Sequence, residues 1–164
     1  MKKLMEEAPK RKDDYMKYWR AIYHYTKVKH DITSADLDML LFLYSEPYFT
    51  TKTFLEFNKI LAISRTRLKK MVDAGWIDIF RRSTNKLGAR YQLSRKAVVL
   101  ITTLYRQMNG GPVQESNEKL FQKKNKSYMD KRYAEQLRRR NVIIQQQQRQ
   151  TPEGLYIVNR QSSW

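Results

Sequence analysis

Residues 62–96, AISRTRLKKMVDAGWIDIFRRSTNKLGARYQLSRK, restrict the fold more than any other stretch of the chain. Ser64 suits the N-cap of a helix running from Arg65 to Ala74. Leu68, Met71 and Val72 line one side of that helix, and Gly75 supplies the left-handed residue that closes it. Residues 76–80 and 90–94 then alternate like strands. The loop between them, 83–89, has Asn85 and Gly88 for turning. Ten residues of this stretch are Lys or Arg, against two acids, Asp73 and Asp78. A short basic helix leading through a glycine into a basic β-loop suits a deep groove flanked by phosphates. Duplex DNA is therefore the expected partner.

Three helices are expected upstream. From residue 14 to about 29, Tyr15, Trp19, Ile22, Tyr23 and Thr26 recur at helical spacing and give an aromatic-rich face. In Thr33-Ser34-Ala35-Asp36 the threonine hydroxyl can cap while the aspartate returns to its backbone N–H. Leu37, Leu40, Leu41 and Tyr44 follow, widened by Met39, Phe42 and Leu43, which marks this second helix as central to the core. Pro47 ends it. A third helix starts at Thr50/Thr51 and carries Phe54, Leu55, Phe57, Ile60 and Leu61. Beyond the β-loop a fifth helix runs from Arg95 to Met108, and Asn109-Gly110-Gly111-Pro112 breaks it. The fold class is mainly α with a small β-wing (α+β): a winged helix–turn–helix followed by a basic C-terminal extension.

A net charge of +17 and a pI near 10.1 speak of partners rather than of fold. Nucleic acid leads; an anionic membrane surface comes second. No run of about 18 apolar residues is present, so no spanning helix is expected, and a membrane is not counted among the expected partners. The opening MKKLMEEAPKRKDD lacks the apolar core of a secretory signal. The absence of cysteine excludes disulfides, thiolate metal sites and thiol nucleophiles. His24 and His30 have no converging partners at readable spacing, and His24 reads as part of the aromatic helix surface. No phosphate loop, nucleophile motif or paired-carboxylate signature is present. The chain is not read as an enzyme; no catalytic residue, cofactor or metal site is expected. An intracellular setting, cytoplasmic or nucleoid-associated, fits these features.

The basic module can be resolved into faces. With Leu68 as the inward centre of the helix, Met71 and Val72 lie beside it, Thr66, Lys70 and Asp73 lie opposite, and Arg67 and Lys69 flank them. Ser64, Arg65 and Thr66 stand at the helix start, where small polar groups approach base edges and the dipole favours phosphate. Arg67, Lys69 and Lys70 can meet guanine edges or neighbouring phosphates. Arg81, Arg82, Lys86 and Arg90 lie on or beside the loop, placed for backbone or minor groove. A basic helix face is often merely solvated; the order helix, turn, helix, glycine, strand, basic loop, strand is what singles this one out.

Residues 31–108 resemble the winged helix–turn–helix of the MarR type, the multiple-antibiotic-resistance regulators. DITSADLDMLLFLY resembles the helix that opens the family's DNA-binding lobe. ISRTRLKKMVDAGWIDIFRR resembles its recognition helix, glycine and first wing strand, and ARYQLSRKAV its second wing strand running into the next helix. The resemblance implies DNA binding through 64–74 and the wing at 83–90, and a homodimer joined by the helices near 14–29 and 95–108. The family's wing commonly carries Asp-x-Arg-Arg; this loop reads Ser-Thr-Asn-Lys-Leu-Gly-Ala-Arg, leaving Arg90 as the wing arginine.

The domain reading is a flexible N-terminus over 1–13, a winged helix–turn–helix domain over 14–109 and a basic extension over 110–164. In the extension a polar helix is expected from about Asn117 to Arg140. The segments 141–149 and 155–160 flank 150–154 as a candidate hairpin. The break at 110–112 is where few contacts should cross. The favoured function is a DNA-binding transcriptional regulator. The alternative is a structural component of a viral or other nucleoprotein assembly, in which residues 115–164 dock on a protein partner and a virion location fits.

Overall fold

The computed structural model describes residues 15–61, 66–115, 119–122 and 126–150. Their core is organised around helix α2, Ser34–Leu43, where Leu37, Met39, Leu40 and Leu43 are wholly buried. The helix begins as its sequence demands. Thr33 is extended, its hydroxyl oxygen accepts the Asp36 N–H at 3.2 Å, and its O–H donates to the Asp36 carboxylate at 2.6 Å. Helix α1, Tyr15–His30, packs Ala21, Ile22, Tyr25 and Thr26 into the same core. The face expected from its sequence is rotated: Trp19 and Tyr23 stand at its margin.

β1, Phe49–Thr50, precedes α3, Thr51–Leu61, which buries Phe54 and Asn58 and leaves Ile60 exposed. The sequence alone does not suggest this strand, because it is two residues long and Thr50 also caps α3. Helix α4, Arg67–Asp73, is shorter than expected. It ends at Gly75, whose φ is +72°, with Gly75 N–H on Val72 O and Trp76 N–H on Met71 O, both 2.9 Å. These two bonds and the buried Met71 and Trp76 form a Schellman closure, which turns the chain straight into β2, Ile77–Arg81.

β2 pairs with β3, Arg90–Leu93, and β3 with β1, giving an antiparallel sheet of order β1–β3–β2. Phe80 is an extra residue between the Ile79–Tyr91 and Arg81–Arg90 pairs. Ser94 then does two things: its hydroxyl donates to Gly75 O at 2.9 Å and accepts the Ala97 N–H as cap of α5, Arg95–Met108. The bounds of α5 are those expected.

The extension departs from expectation. Its helical part is α6, Lys119–Gln122, and a long α7, Tyr128–Gln150. Ser127 and Asp130 cap α7 reciprocally, Ser127 N–H to the Asp130 carboxylate at 3.2 Å and Asp130 N–H to the Ser127 hydroxyl at 3.1 Å. Val142, Ile143 and Ile144 are helical, not β. The reason is spacing: Asp130, Ala134, Leu137, Asn141 and Ile144 make one buried stripe at three- and four-residue intervals. α7 packs along α1, and α6 packs on α1 as well.

The boundary at Asn109–Pro112 is therefore corrected. Val113, Leu120, Phe121, Ala134 and Leu137 belong to the same core cluster as Ile22 and Leu40. Side chains of α7 also fasten the connector. Arg140 donates to Gly111 O at 2.9 Å and to Gln107 O, while Asn141 holds both the N–H and the C=O of Val113, at 2.9 and 2.7 Å. The expected flexible start and the 155–160 segment lie outside the described residues. Among the described residues no helix is long and apolar enough to cross a membrane.

Candidate nucleic-acid interface

The outer surface of α4 is set by how the helix is packed. Met71 is buried, Leu68 and Val72 are half-buried, and Thr66, Lys69, Lys70 and Asp73 are exposed, as the helical wheel predicts. Ser64 and Arg65 lie outside the described residues. Arg67 departs from the expected set. Its Nη1 donates to Asp36 Oδ1 at 2.6 Å and to the Thr33 hydroxyl at 3.2 Å. Both partners of the Arg67–Asp36 ion pair are more than three-quarters buried. Arg67 thus ties the start of α4 to the cap of α2 instead of facing outward.

The β2–β3 loop, the wing of the sequence expectation, is a tight turn. Thr84 N–H donates to Leu87 O at 2.8 Å, and the Thr84 hydroxyl accepts the Leu87 N–H at 3.2 Å. That closure holds Lys86 at an exposed tip, with Arg82 and Arg90 exposed at its two legs. Arg81 lies lower, half-buried. Its Nη2 reaches Gly88 O at 3.4 Å, and its Nε is buried without a partner.

A groove of about 380 Å³ separates the wing from the start of α3. Thr50, Thr51 and Lys52 form one wall, and Arg81, Gly88 and Arg90 belong to the other. The register that pairs Thr50 with Arg90, and Arg90 with Arg81, brings these walls together. Thr50 caps α3, its hydroxyl accepting the Thr53 N–H at 3.3 Å, so the groove also meets the positive end of an 11-residue helix. Lys52 is the site residue that sequence reading omits. It lies more than thirty residues before the wing in the chain, and the strand pairing brings them together.

Among the described residues, six exposed cations, Lys52, Lys69, Lys70, Arg82, Lys86 and Arg90, stand on α3, α4 and the wing without a carboxylate within ion-pair distance. Such charges keep their full field at the surface, which is the electrostatic requirement for holding a polyanion.

His24, on α1, has a structural role. His24 Nε2 lies 2.7 Å from Asp130 Oδ1 and its ring 5.1 Å from that of Tyr133. His24 therefore has a carboxylate partner, 106 residues away, that sequence spacing does not reveal. Burial raises the Asp130 carboxyl, but hydrogen bonds from His24 and Ser127 outweigh it and hold the group below the usual carboxylate range. Burial beside Asp38 pushes the Tyr23 phenol well above its ordinary value, its O–H donating to Asp38 at 2.6 Å. Among the described residues no group of three His, Asp or Glu converges as a metal would need. No family model, no curated protein and no solved structure matches the chain.

Proposed function

We propose that this chain binds duplex DNA as a winged helix–turn–helix protein and acts as a transcriptional regulator. In this reading α4 presents Lys69 and Lys70 to a groove, while the wing and the start of α3 hold the adjoining phosphates through Arg82, Lys86, Arg90 and Lys52. The supporting observation is the set of six exposed cations, unpaired among the described residues, on α3, α4 and the wing, in a chain of net charge +17. Arg67 is not assigned a contact, since Asp36 holds it. A second copy would meet α5, whose outer stripe of Val98, Thr102 and Tyr105 is exposed, because α1 is covered by α5, α6 and α7.

The test is a titration of labelled duplex DNA by the full chain at several salt concentrations. Each phosphate neutralised contributes about 0.9 to the slope of log affinity against log salt. A slope of roughly five is expected if all six cations neutralise phosphates, and of roughly four if only Lys52, Arg82, Lys86 and Arg90 do. Affinity that is absent at low salt, or flat with salt, would refute the reading. Selecting bound sequences from random duplexes then separates a regulator from a general DNA binder.

A further inference from the structure

Tyr48 and Phe80 meet in a tilted ring contact, centroids 4.3 Å apart and planes at 41°, yet remain 46 % and 51 % exposed. They are brought together across the sheet. Tyr48 immediately precedes β1, and Phe80 is the bulge residue of β2. Between them in register, Tyr91 turns the other way and packs on buried Phe49 at 5.9 Å. The Tyr48–Phe80 pair therefore stands on the outer face of the sheet. Its rings contribute nothing to the core cluster, so packing does not account for two aromatics at these positions.

The neighbourhood of the pair is informative. Phe80 is adjacent in the chain to Arg81, and Tyr48 lies two residues from Thr50. Thr50, Arg90 and Arg81 are the paired row at which the basic groove opens. One strand residue advances about 3.3 Å, so an aromatic platform and a cationic groove lie about one nucleotide apart. At the opposite end of β2 stands exposed Asp78, which would repel phosphate and direct a strand toward Arg90. Every nucleobase has a face that stacks on an aromatic ring, but a base inside a duplex has both faces occupied by its neighbours.

We infer that the outer face of the wing sheet holds an unpaired DNA strand, stacking a base on Tyr48 and Phe80 with its phosphate in the groove at Lys52, Arg81 and Arg90. This rests on the DNA-binding reading above and deepens it: the preferred substrate is a junction between duplex and single strand. The α4 surface holds the duplex, and the wing sheet takes the first unpaired nucleotides.

The experiment compares the full chain on a blunt duplex and on the same duplex with a ten-nucleotide thymine tail, by fluorescence anisotropy at one salt concentration. Stacking one base contributes about five- to hundredfold in affinity, so the tailed duplex should bind at least about fivefold more tightly. Phe80→Ala and Tyr48→Ala should each reduce that ratio toward one while leaving blunt-duplex affinity within about twofold. Phe80→Trp should retain the ratio. Lys70→Ala should weaken both substrates alike and leave the ratio intact. Equal binding of the two substrates by the unmodified chain overturns the inference; if Lys70→Ala still weakens both, the DNA-binding reading survives. Loss of self-association in Phe80→Ala with no change in the ratio would make the pair a protein contact and also overturn it. Failure of either substrate to bind refutes the DNA-binding reading itself.

Discussion

Two regions of this molecule are equally rich in cations and use them in opposite ways. On α7, Arg140 is buried against the carbonyls of Gln107 and Gly111, Arg138 pairs with Glu115 at 3.4 Å, and Arg132 and Arg139 share Glu135. On α4 and the wing, Lys69, Lys70, Arg82, Lys86 and Arg90 face outward and form no ion pair among the described residues. The exposed pairs of α7 add little to stability, about 0–1 kcal/mol each. Their larger effect is on the field, since a cation beside a carboxylate presents almost no net charge at a distance. Counting Lys and Arg thus gives the two regions similar weight, whereas pairing separates a surface whose charge acts outward from one whose charge holds the fold together.

The hardest test of this division is truncation. Ending the chain after Gly111 removes Val113, Leu120, Phe121, Ala134 and Leu137 from the core and uncovers Ile22 and Tyr25 on α1. Each buried aliphatic or aromatic side chain contributes about 1.5–3 kcal/mol, so the loss is of the order of a small domain's whole stability, about 5–15 kcal/mol. The expected product is a molten or insoluble chain, seen as a lost cooperative melt by circular dichroism and as dye binding. A truncated chain that melts sharply would mean that α7 is an appendage, and the contrast between the regions would collapse.

Next in size is the contrast between Arg67 and Lys70, three residues apart on α4. Arg67→Ala breaks a mostly buried pair with Asp36 and should lower stability by about 1–3 kcal/mol. Lys70→Ala removes an exposed cation and should leave the melt unchanged while weakening DNA binding by about 1–3 kcal/mol. Denaturant melts and titrations on both variants check the pair. If Lys70→Ala destabilises and Arg67→Ala does not, the orientation assigned to α4 is wrong.

A smaller effect distinguishes paired from unpaired arginines directly. Arg90→Ala should make the log–log salt dependence of DNA affinity shallower by about 1, as one phosphate contact is lost. Arg139→Ala, on the α7 face where Glu135 lies 2.5 Å away, should leave that slope unchanged. Equal changes in the two slopes would mean that DNA also runs along α7, and that the field of paired cations has been underestimated.

These contrasts also explain what could be read in advance. The closure of α4 was legible because Gly75 is needed where φ is positive, and the end of α5 because Asn109-Gly110 punctuates it. Local chemistry writes such features into a few adjacent residues. The place of α7 was not legible because its buried stripe includes Asp130, Arg140 and Asn141, which look like solvent-facing residues in a sequence. They are buried because His24, Gln107, Gly111 and Val113 satisfy them from other parts of the chain. The groove escaped for the same reason: its two walls meet only through the pairing of Thr50 with Arg90.

The smallest expected effect concerns how α7 is held at its own start. Asp130 accepts hydrogen bonds from His24 and from the Ser127 backbone, and these hold its carboxyl below the ordinary value of 3.8 despite its burial. A carboxylate with a lowered native value stabilises the folded chain above its unfolded value, and that contribution is lost as pH falls through the native one. Stability should therefore drop below about pH 4 by more in the native chain than in Asp130→Asn, which carries no ionisable group there. The variant should also be less stable near neutral pH, where the charged hydrogen bonds are fully formed. Chemical melts across pH 3–7 give both curves. If they stay parallel through the acid range, Asp130 is not what fastens α7 to α1, and the buried hydrogen bonds of Arg140 and Asn141 hold it without help.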